Sequence, residues 1–339
     1  MRYPPFLPEK GNIGVVAPSF GVSGFPYEDR YFNAKKKLEA LGYSVRECPH
    51  LFGIEKAAST DGKTRAEEFM AMYLDEDIDF VMSAAGGELM MDILPHVDFD
   101  RLKQARPKFF MGLSDNTNLT FTLPVLTDTA AIYGPCFGSF GMEKWYRSLR
   151  EAHKIMRGEA LSQRSFPKYE KEGWPKEDLD PYAGFNMKKR VEYKSLDGKD
   201  YVLHGRLIGG CLDILVMLCG TRFADIDPFL EKYREDGFLW FLEACDLNVV
   251  SQQRALWQLR ENGWFKYCRG IIYGRPIDSE EFFGVRLEDA LQDAVGQLNV
   301  PVVYGCDFGH LPPNWTLISG SLATFTKKGT KGCISMELK

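Results

Sequence analysis

The sequence predicts an α/β protein of about two domains, and three observations support this. The chain has 339 residues, about twice the usual length of one domain. Short β-branched and aromatic runs alternate with segments of helical period along most of it. Hydrophobic residues make up 45% and charged residues 26%, which is typical of a packed core and excludes wholesale disorder. Strands that are apolar on both faces, alternating with helices, indicate a parallel sheet covered by helices.

The first domain is predicted over residues 1–160. Its predicted strands are Asn12–Ala17, Tyr43–Cys48, Phe80–Ala85, Lys108–Leu113 and Ala130–Tyr133. Its predicted helices are Arg30–Leu41, Thr64–Leu74, Leu89–His96 and Phe99–Arg106, and a further helix begins at Asn116. Gly42 directly after the first helix is a usual stop signal.

A charged segment, residues 161–200, follows without sustained periodicity and predicts an interdomain connection. Connections of this length often act as lids over a site, although a solvated linker is the simpler alternative. Aromatic side chains stand out in it at Trp174, Tyr182 and Phe185. We expect Lys168–Arg190 to lie over a cleft and to place at least one of them near the substrate.

The second domain is predicted over residues 201–339, as a smaller α/β domain with added β-strands. Its predicted strands are Arg206–Gly210, Phe238–Cys245, Gly270–Tyr273 and Val300–Tyr304, with antiparallel additions at Thr316–Phe325 and Cys333–Leu338. Its predicted helices are Val249–Asn262 and Leu287–Leu298, with another beginning at Leu212.

Charge and hydropathy exclude several classes of partner. The net charge is −5 and there is no basic run, which argues against nucleic acid or an anionic membrane surface. The most apolar stretch, Leu207–Cys219, is too short to cross a bilayer. The first residues lack the apolar core of a signal peptide, so we expect a soluble, cytoplasmic protein.

Cysteine and histidine spacing argues against a metal site and against a disulfide framework. The eight cysteines form no C-x-x-C pair, and the five histidines form neither H-x-x-x-H nor H-E-x-x-H. Scattered cysteines in a chain of this length usually serve as small buried hydrophobic residues.

A candidate nucleophile, Ser114, directly follows a predicted buried strand and precedes a helix. Such a strand–turn–helix corner exposes a hydroxyl at the sheet edge, where helix N–H groups can face a developing oxyanion. Gly112 leaves room in the turn, but Asn116 stands where the usual nucleophile motif has its second glycine. An ordinary helix cap is the alternative interpretation.

A candidate acid and a candidate base follow two strands of the second domain. Glu243 ends an apolar strand, and a buried carboxylate requires a partner, which could be a histidine or a structural cation. Asp246 is a competing carboxylate. His310 lies between glycine-rich sequence and a Pro-Pro turn, although a single histidine is more often structural. The order serine, glutamate, histidine also occurs in α/β-hydrolases.

Gly86-Gly87, after the third predicted strand, allows backbone N–H groups to approach a ligand or an oxyanion closely. The spacing is not that of a dinucleotide-binding loop. A plain strand-to-helix turn is the alternative.

At these residues the chain resembles the LD-carboxypeptidase and microcin C immunity family of serine peptidases. The similar motifs are Gly14–Ser19, Gly86-Gly87 followed by Ile93-Leu94-Pro95, Gly112–Asp115, Gly205–Gly210, Leu242-Glu243 and Gly309-His310. Cys211 stands where Asn is common in the family, and Ala85 where one branch often has Arg.

The resemblance implies a Ser114–His310–Glu243 triad, with an oxyanion hole from the backbone N–H groups of Gly87 and Asp115. It also implies a flavodoxin-like N-terminal domain, a smaller C-terminal domain, a homodimer, and neither metal nor cofactor. One branch of the family releases D-alanine from murein tetrapeptides. The other cleaves aminoacyl-nucleotide conjugates and stacks a loop tryptophan on the base.

The sequence is therefore interpreted as a serine hydrolase of peptide-like amide bonds, of the LD-carboxypeptidase type. An immunity-type amidase acting on aminoacyl-nucleotide conjugates is the first alternative. A non-catalytic binder of a small ligand, with Ser114 as a helix cap, is the rival from another class.

Overall fold

The computed structural model describes residues 1–171 and 180–339 of the chain. These residues form two compact units, each with its own sheet. The first unit comprises Met1–Ala160, 180–186 and Trp315–Leu317, and the second comprises Leu161–Lys171, Met187–Asn314 and Ile318–Lys339.

The regular elements are numbered in chain order. The strands are β1 (Asn12–Val16), β2 (Ser44–Glu47), β3 (Phe80–Ser83), β4 (Phe109–Gly112), β5 (Ala131–Tyr133), β6 (Ser162–Arg164), β7 (Lys168–Tyr169), β8 (Lys189–Arg190), β9 (Lys194–Ser195), β10 (Tyr201–Cys211), β11 (Phe238–Glu243), β12 (Cys268–Gly274), β13 (Val302–Cys306), β14 (Leu317–Ser319), β15 (Leu322–Lys328) and β16 (Lys331–Glu337). The α-helices are α1 (Tyr27–Ala40), α2 (Gly62–Leu74), α3 (Phe99–Gln104), α4 (Thr117–Thr127), α5 (Arg147–Met156), α6 (Leu212–Leu218), α7 (Asp227–Lys232), α8 (Val249–Glu261) and α9 (Leu287–Val295). Short 3₁₀ helices occur at Met90–His96, Ser114–Asn116, Phe137–Gly141, Arg222–Ala224 and Gly296–Leu298.

The sheet of the first unit has the order β2-β1-β3-β4-β5, with β14 at the edge beside β5. The pairs from β2 through β5 are all parallel. This is the flavodoxin-type strand order. The order of the strands reverses between β1 and β3, and ligands of such folds bind beyond the carboxyl ends of the strands at this point. The predicted fold class of the N-terminal domain is confirmed.

The helix that follows β4 lies inside the first unit rather than on its surface. All but one of the residues of α4 are buried. Two of its threonine hydroxyls are satisfied within the helix, because Thr122 donates to the Asn118 carbonyl at 2.5 Å and Thr127 to the Leu123 carbonyl at 2.7 Å. A helix packed on all sides gives the β4–α4 turn a rigid base.

The sheet of the second unit has the order β6-β16-β15-β10-β11-β12-β13-β9. Strands β10 to β13 are parallel, and β15, β16, β6 and β9 join antiparallel at the edges. β7 and β8 form a separate antiparallel ribbon. The prediction of a second α/β domain with added antiparallel strands is confirmed, but the predicted strand Thr316–Phe325 is wrong as a single element: its first part is β14, which joins the first sheet, and its second part begins β15.

Several elements differ from the prediction. The described residues between 161 and 200 form four short strands, β6 to β9, of two or three residues each, which are too short to show a period in the sequence. The predicted helix Leu89–His96 is a 3₁₀ helix over Met90–His96, with Pro95 inside it. Within the described residues, no helix combines the length and the apolar character that crossing a membrane requires.

Candidate active site

Ser114 adopts a strained backbone conformation at the turn between β4 and α4. Its φ is +67°, in the left-handed region that residues with a side chain rarely occupy. Such a conformation costs about 1–3 kcal/mol and persists only where the surroundings enforce it, which occurs mainly at functional sites. The same strain is found at nucleophile corners between a strand and a helix. The backbone thus favours a nucleophile over the ordinary helix cap, and the N-cap position of α4 is held by Asn116 rather than by Ser114.

The turn is tight because two glycines border it. A Cβ on Gly112 would lie 2.5 Å from Cγ of Asn116, a distance that real Cβ atoms do not show. A Cβ on Gly86 would lie 3.3 Å from Cβ and 3.6 Å from Oγ of Ser114. Asn116, where the usual motif has glycine, donates from Nδ2 to the carbonyls of Ala85 and Leu113 at 3.0 and 2.8 Å. It therefore joins the loop after β3 to the serine turn.

The buried carboxylate of Asp115 joins three loops at the carboxyl end of the first sheet. It accepts hydrogen bonds from the Ser19 hydroxyl at 2.5 Å, from Met90 N–H at 2.9 Å and from Asn118 Nδ2 at 2.9 Å. Burial raises the pKa of Asp115, and these donors and the nearby Arg65 guanidinium oppose that rise. The side chain of Asp115 is thus a structural anchor, which leaves only its backbone N–H for an oxyanion.

Gly87 lies against Ser19 in a conformation that favours glycine. Its φ is +151°, and a Cβ there would lie 2.1 Å from Oγ of Ser19. Neither the N–H of Gly87 nor that of Asp115 donates a hydrogen bond to any group in 1–171 or 180–339. Both donors are therefore available to a ligand, as an oxyanion hole requires.

His310 and Glu243 form a hydrogen-bonded pair in the second unit. Nδ1 of His310 lies 2.9 Å from Oε2 of Glu243, which is fully buried at the end of β11. Gly309 permits this approach: its φ is +114°, and a Cβ there would lie 2.9 Å from that same Oε2. A carboxylate on Nδ1 fixes the tautomer of the ring and leaves Nε2 to accept a proton.

The charge state of His310 follows from this pairing. Burial alone would lower the pKa of His310, but the charge of the Glu243 carboxylate, the hydrogen bond that it accepts from the ring and the nearby Cys245 thiol together raise that pKa well above its ordinary value. The pair is therefore arranged to stabilise an imidazolium, the state that a general base reaches after it has taken a proton.

A buried ion pair fastens the loop that carries His310. Arg275 Nη1 lies 2.5 Å from Oδ1 of Asp307, and Nη2 donates to the carbonyls of Leu311 and Pro313, each at 2.9 Å. The other carboxylate oxygen of Asp307 accepts from the Tyr193 hydroxyl at 2.9 Å. The guanidinium thus holds the loop on both sides of His310, and its fork geometry suits this task.

Two thiols lie beside the pair. Cys211, at the end of β10, is paired in register with Glu243 on β11, and its pKa is raised well above the ordinary value by burial and by the Glu243 carboxylate. Cys245 follows β11, and its thiol contributes to the raised pKa of His310. Both thiols therefore contribute to the surroundings of the ring.

Two family models match this chain and identify its protein family. The LD-carboxypeptidase N-terminal domain matches residues 13–134, and the LD-carboxypeptidase C-terminal domain matches residues 204–325. The chain belongs to the LD-carboxypeptidase family. The family is one of peptidases, and the resemblance seen in the sequence motifs is confirmed.

Relatives of this LD-carboxypeptidase family member span nearly its whole length. A probable murein peptide carboxypeptidase of Bacillus subtilis is 26% identical and covers 95% of this chain and 91% of its own. The microcin C7 self-immunity protein MccF of Escherichia coli is 26% identical, over 86% of this chain and 84% of its own. The solved structure of an MccF-like protein from Bacillus anthracis has a TM-score of 0.83 at 23% identity, covering 99% of this chain and all of that one.

The aromatic residues predicted to contact substrate divide into two groups. Trp174 lies outside the described residues. Tyr182 and Phe185 are half-buried and belong to the first unit, where the Tyr182 carbonyl accepts from Glu143 N–H at 2.9 Å and the Phe185 ring meets Tyr146 edge-on at 5.8 Å. In this family member the Phe185 ring thus packs within its own unit, and the backbone of Tyr182 is held in the same unit.

The structure brings some of the predicted site residues together. His310 is paired with Glu243 in the second unit, while Ser114, Asp115 and Gly87 gather at one end of the first sheet. The hydrogen bond between Ser114 and His310 stays a prediction. The sequence analysis missed the supporting residues Ser19 and Asn118 beside the serine, and Arg275 and Asp307 behind His310. A charged residue directly after an apolar strand, as at Arg275 after β12, was the available signal.

Proposed function

We propose that this protein is a serine peptidase of the LD-carboxypeptidase type, which releases a C-terminal D-amino acid from a murein tetrapeptide. The observation that carries the proposal is the buried Glu243–His310 pair, since it prepares one imidazole nitrogen for proton transfer. The strained Ser114 and the two unused N–H groups beside it support the same chemistry.

In the proposed mechanism, Ser114 Oγ attacks the carbonyl carbon of the scissile amide while Nε2 of His310 takes its proton. Glu243 stabilises the resulting imidazolium, and the N–H groups of Gly87 and Asp115 hold the oxyanion. His310 then gives the proton to the departing amine, which leaves an acyl-enzyme on Ser114. Water, activated by the same imidazole, hydrolyses this ester and restores the serine.

The second candidate function is an amidase acting on aminoacyl-nucleotide conjugates. It shares the triad and is favoured by the aromatic residues Trp174, Tyr182 and Phe185 of the 161–200 segment, since aromatic faces stack on bases. Truncating a stacking aromatic typically loses about 1–3 kcal/mol. Replacing the responsible residue with alanine would then raise KM for a nucleotide conjugate roughly ten- to a hundredfold and change peptide turnover much less.

One experiment separates the candidates. The full-length protein is incubated with a murein tetrapeptide and, separately, with an aminoacyl-sulfamoyl-adenosine, and the products are identified by mass spectrometry. Release of D-alanine supports the carboxypeptidase, and release of the amino acid supports the amidase. Binding of either compound without turnover would favour the non-catalytic binder.

Variants of the triad test the mechanism. Ser114→Ala and His310→Ala should each lower kcat at least about a thousandfold, and the double variant should be scarcely worse, because triad members act as a unit. Glu243→Gln should lose less if the amide still orients the ring. Near-normal turnover by Ser114→Ala would rule out the covalent route.

We also propose a homodimer, as the family resemblance implies, and a cytoplasmic location, as the composition and the first residues of the sequence suggest. Sedimentation equilibrium of the full chain measures the oligomeric state directly, and a monomer at micromolar concentration would contradict it.

A further inference from the structure

A sulfur-containing group of potential metal ligands lies at the acid–base pair. Ligand atoms of Cys211, Glu243 and His310 all lie within 4.8 Å of one another, and no comparable group of three occurs elsewhere among the described residues. The three residues come from β10, from β11 and from the loop after β13. Their wide separation in the chain explains why metal-ligand spacing did not reveal them.

We propose that these three side chains form an inhibitory site for Zn²⁺ or another thiol-preferring divalent metal ion. The ligand set, one thiolate, one imidazole and one carboxylate, is of the kind that zinc prefers. It leaves a fourth position open for water.

The spacing fits a tetrahedral ion after a small adjustment. Zinc bonds of about 2.0–2.2 Å to nitrogen and oxygen place those two ligand atoms about 3.3 Å apart, and a sulfur bond of about 2.3 Å places sulfur about 3.5 Å from nitrogen. Nδ1 of His310 and Oε2 of Glu243 are 2.9 Å apart as a hydrogen-bonded pair. The ion would be admitted if these two atoms separated by about half an ångström and if the sulfur of Cys211, which lies within 4.8 Å of both residues' ligand atoms, approached to about 3.5 Å.

Access and burial are also consistent with an ion. Cys211 and Glu243 are buried, and the His310 side chain, at 7% exposed, is the least enclosed member of the group. The parallel pairing of β10 with β11 at their carboxyl ends holds the Cys211 thiol and the Glu243 carboxylate in fixed register. Two rigid ligands and a third that is less enclosed form a prepared site rather than a chance surface cluster.

Occupancy would stop the acid–base chemistry directly. An imidazole that ligates metal through Nδ1 carries its proton on Nε2, so Nε2 can no longer accept one. Glu243 would leave the ring to bind the ion. This inhibitory consequence rests on the proposed function, whereas metal binding itself does not.

Cobalt(II) is the direct probe, because thiolate ligation gives a ligand-to-metal charge-transfer band in the near ultraviolet. The full-length protein, kept reduced with a phosphine, is titrated with Co²⁺ and then with Zn²⁺. We expect saturation at one equivalent, with Zn²⁺ abolishing the band. Absence of a thiolate band at one equivalent would overturn the proposal.

Variants assign the ligands. Cys211→Ser should abolish the charge-transfer band and weaken binding about a hundredfold or more, whereas Cys333→Ser, at an exposed thiol of the same unit, should change neither. A band that survives Cys211→Ser would overturn the assignment. If that variant does not fold, His310→Gln serves instead, and it should weaken Co²⁺ binding while keeping the thiolate band. Unchanged affinity in His310→Gln would also overturn the proposal.

Turnover is measured separately. Zn²⁺ should inhibit the wild-type protein and Cys333→Ser, and should inhibit Cys211→Ser far less relative to its own zinc-free rate. Lack of turnover without zinc would count against the proposed function and would leave the cobalt result standing. Strong metal binding with unaffected turnover would refute the inhibitory role.

Discussion

Removing the guanidinium behind the His310 loop is the most informative perturbation of stability. In Arg275→Met the buried carboxylate of Asp307, with no exposed surface, loses the cation 2.5 Å away. It keeps hydrogen bonds from Phe166 N–H and the Tyr193 hydroxyl, each at 2.9 Å. Breaking a buried pair from one side costs about 3–5 kcal/mol, because an uncompensated charge remains. We expect a loss of unfolding free energy in that range.

The assay is urea denaturation followed by circular dichroism and tryptophan fluorescence. The matched control is Arg234→Met, whose partner Glu235 is 90% exposed, and whose loss should cost less than about 0.5 kcal/mol. The double variant Arg275→Met/Asp307→Asn removes both charges and should recover at least half of the loss. The stability of Arg275→Lys should lie between those of the wild type and Arg275→Met, since an ammonium group keeps the charge but cannot reproduce the planar fork of the guanidinium.

The reasoning would be refuted by two results. A cost below about 1 kcal/mol for Arg275→Met would show that solvent or rearrangement compensates Asp307. A double variant as unstable as the sum of the single variants would show that the two groups do not interact. Under the proposed function, Arg275→Met that remains folded should also lower kcat more than it changes KM, since it releases the loop on both sides of His310.

Three further outcomes are expected. Gly309→Ala should lower both stability and kcat, because its Cβ would lie 2.9 Å from the Glu243 carboxylate at a φ of +114°. Thermal unfolding and initial rates measure the two effects, and an unchanged Tm together with an unchanged kcat would contradict the close approach of Gly309 to Glu243. The raised pKa of His310 predicts that kcat/KM increases with pH through a value above about 6.5, as the ring loses its proton. The stability that the protonated ring contributes is complete below about 6.5 and is lost as the pH rises through the raised pKa. Glu243→Gln should shift the rise of kcat/KM to lower pH, and an unshifted rise would argue against the Glu243–His310 pair. Ser19→Ala should lower the free energy of unfolding in urea by about 1–3 kcal/mol, since it leaves one oxygen of buried Asp115 without its hydroxyl donor. An unchanged free energy of unfolding would show that the Ser19–Asp115 hydrogen bond does not stabilise the fold.

The parallel strands of the first sheet could be predicted from the sequence because most of them have a local signature, whereas their flavodoxin-type order came from the family resemblance. β1, β3 and β4 are apolar on both faces, and helical patterns separate them. The short strands β6 and β9 could not be predicted, because two or three residues at a sheet edge carry no period. Their existence depends on partners more than a hundred residues away along the chain.

The residues of the candidate site also differ in how far the sequence alone could predict them. Ser114 follows from a local turn pattern, and its strained φ matches that pattern. The pairing of His310 with Glu243 came from the family resemblance, since nothing local relates two residues 67 positions apart. Cys211 meets Glu243 only through the β10–β11 register, and Arg275 meets Asp307 only once the loop after β13 has folded. Such contacts depend on tertiary structure and leave no trace in spacing.

The position of β14 has a consequence for how the chain folds during synthesis. Leu317 belongs to the first unit and completes the edge of a sheet whose previous strand, β5, ends at Tyr133. About 180 residues, including most of the second unit, are translated between them. At roughly 5–20 residues per second the ribosome takes on the order of 10–40 s over this interval. During that time the backbone of β5 presents an open edge in the nascent chain, which would make it a natural target for chaperones and the first place for faulty pairing with a neighbouring polypeptide.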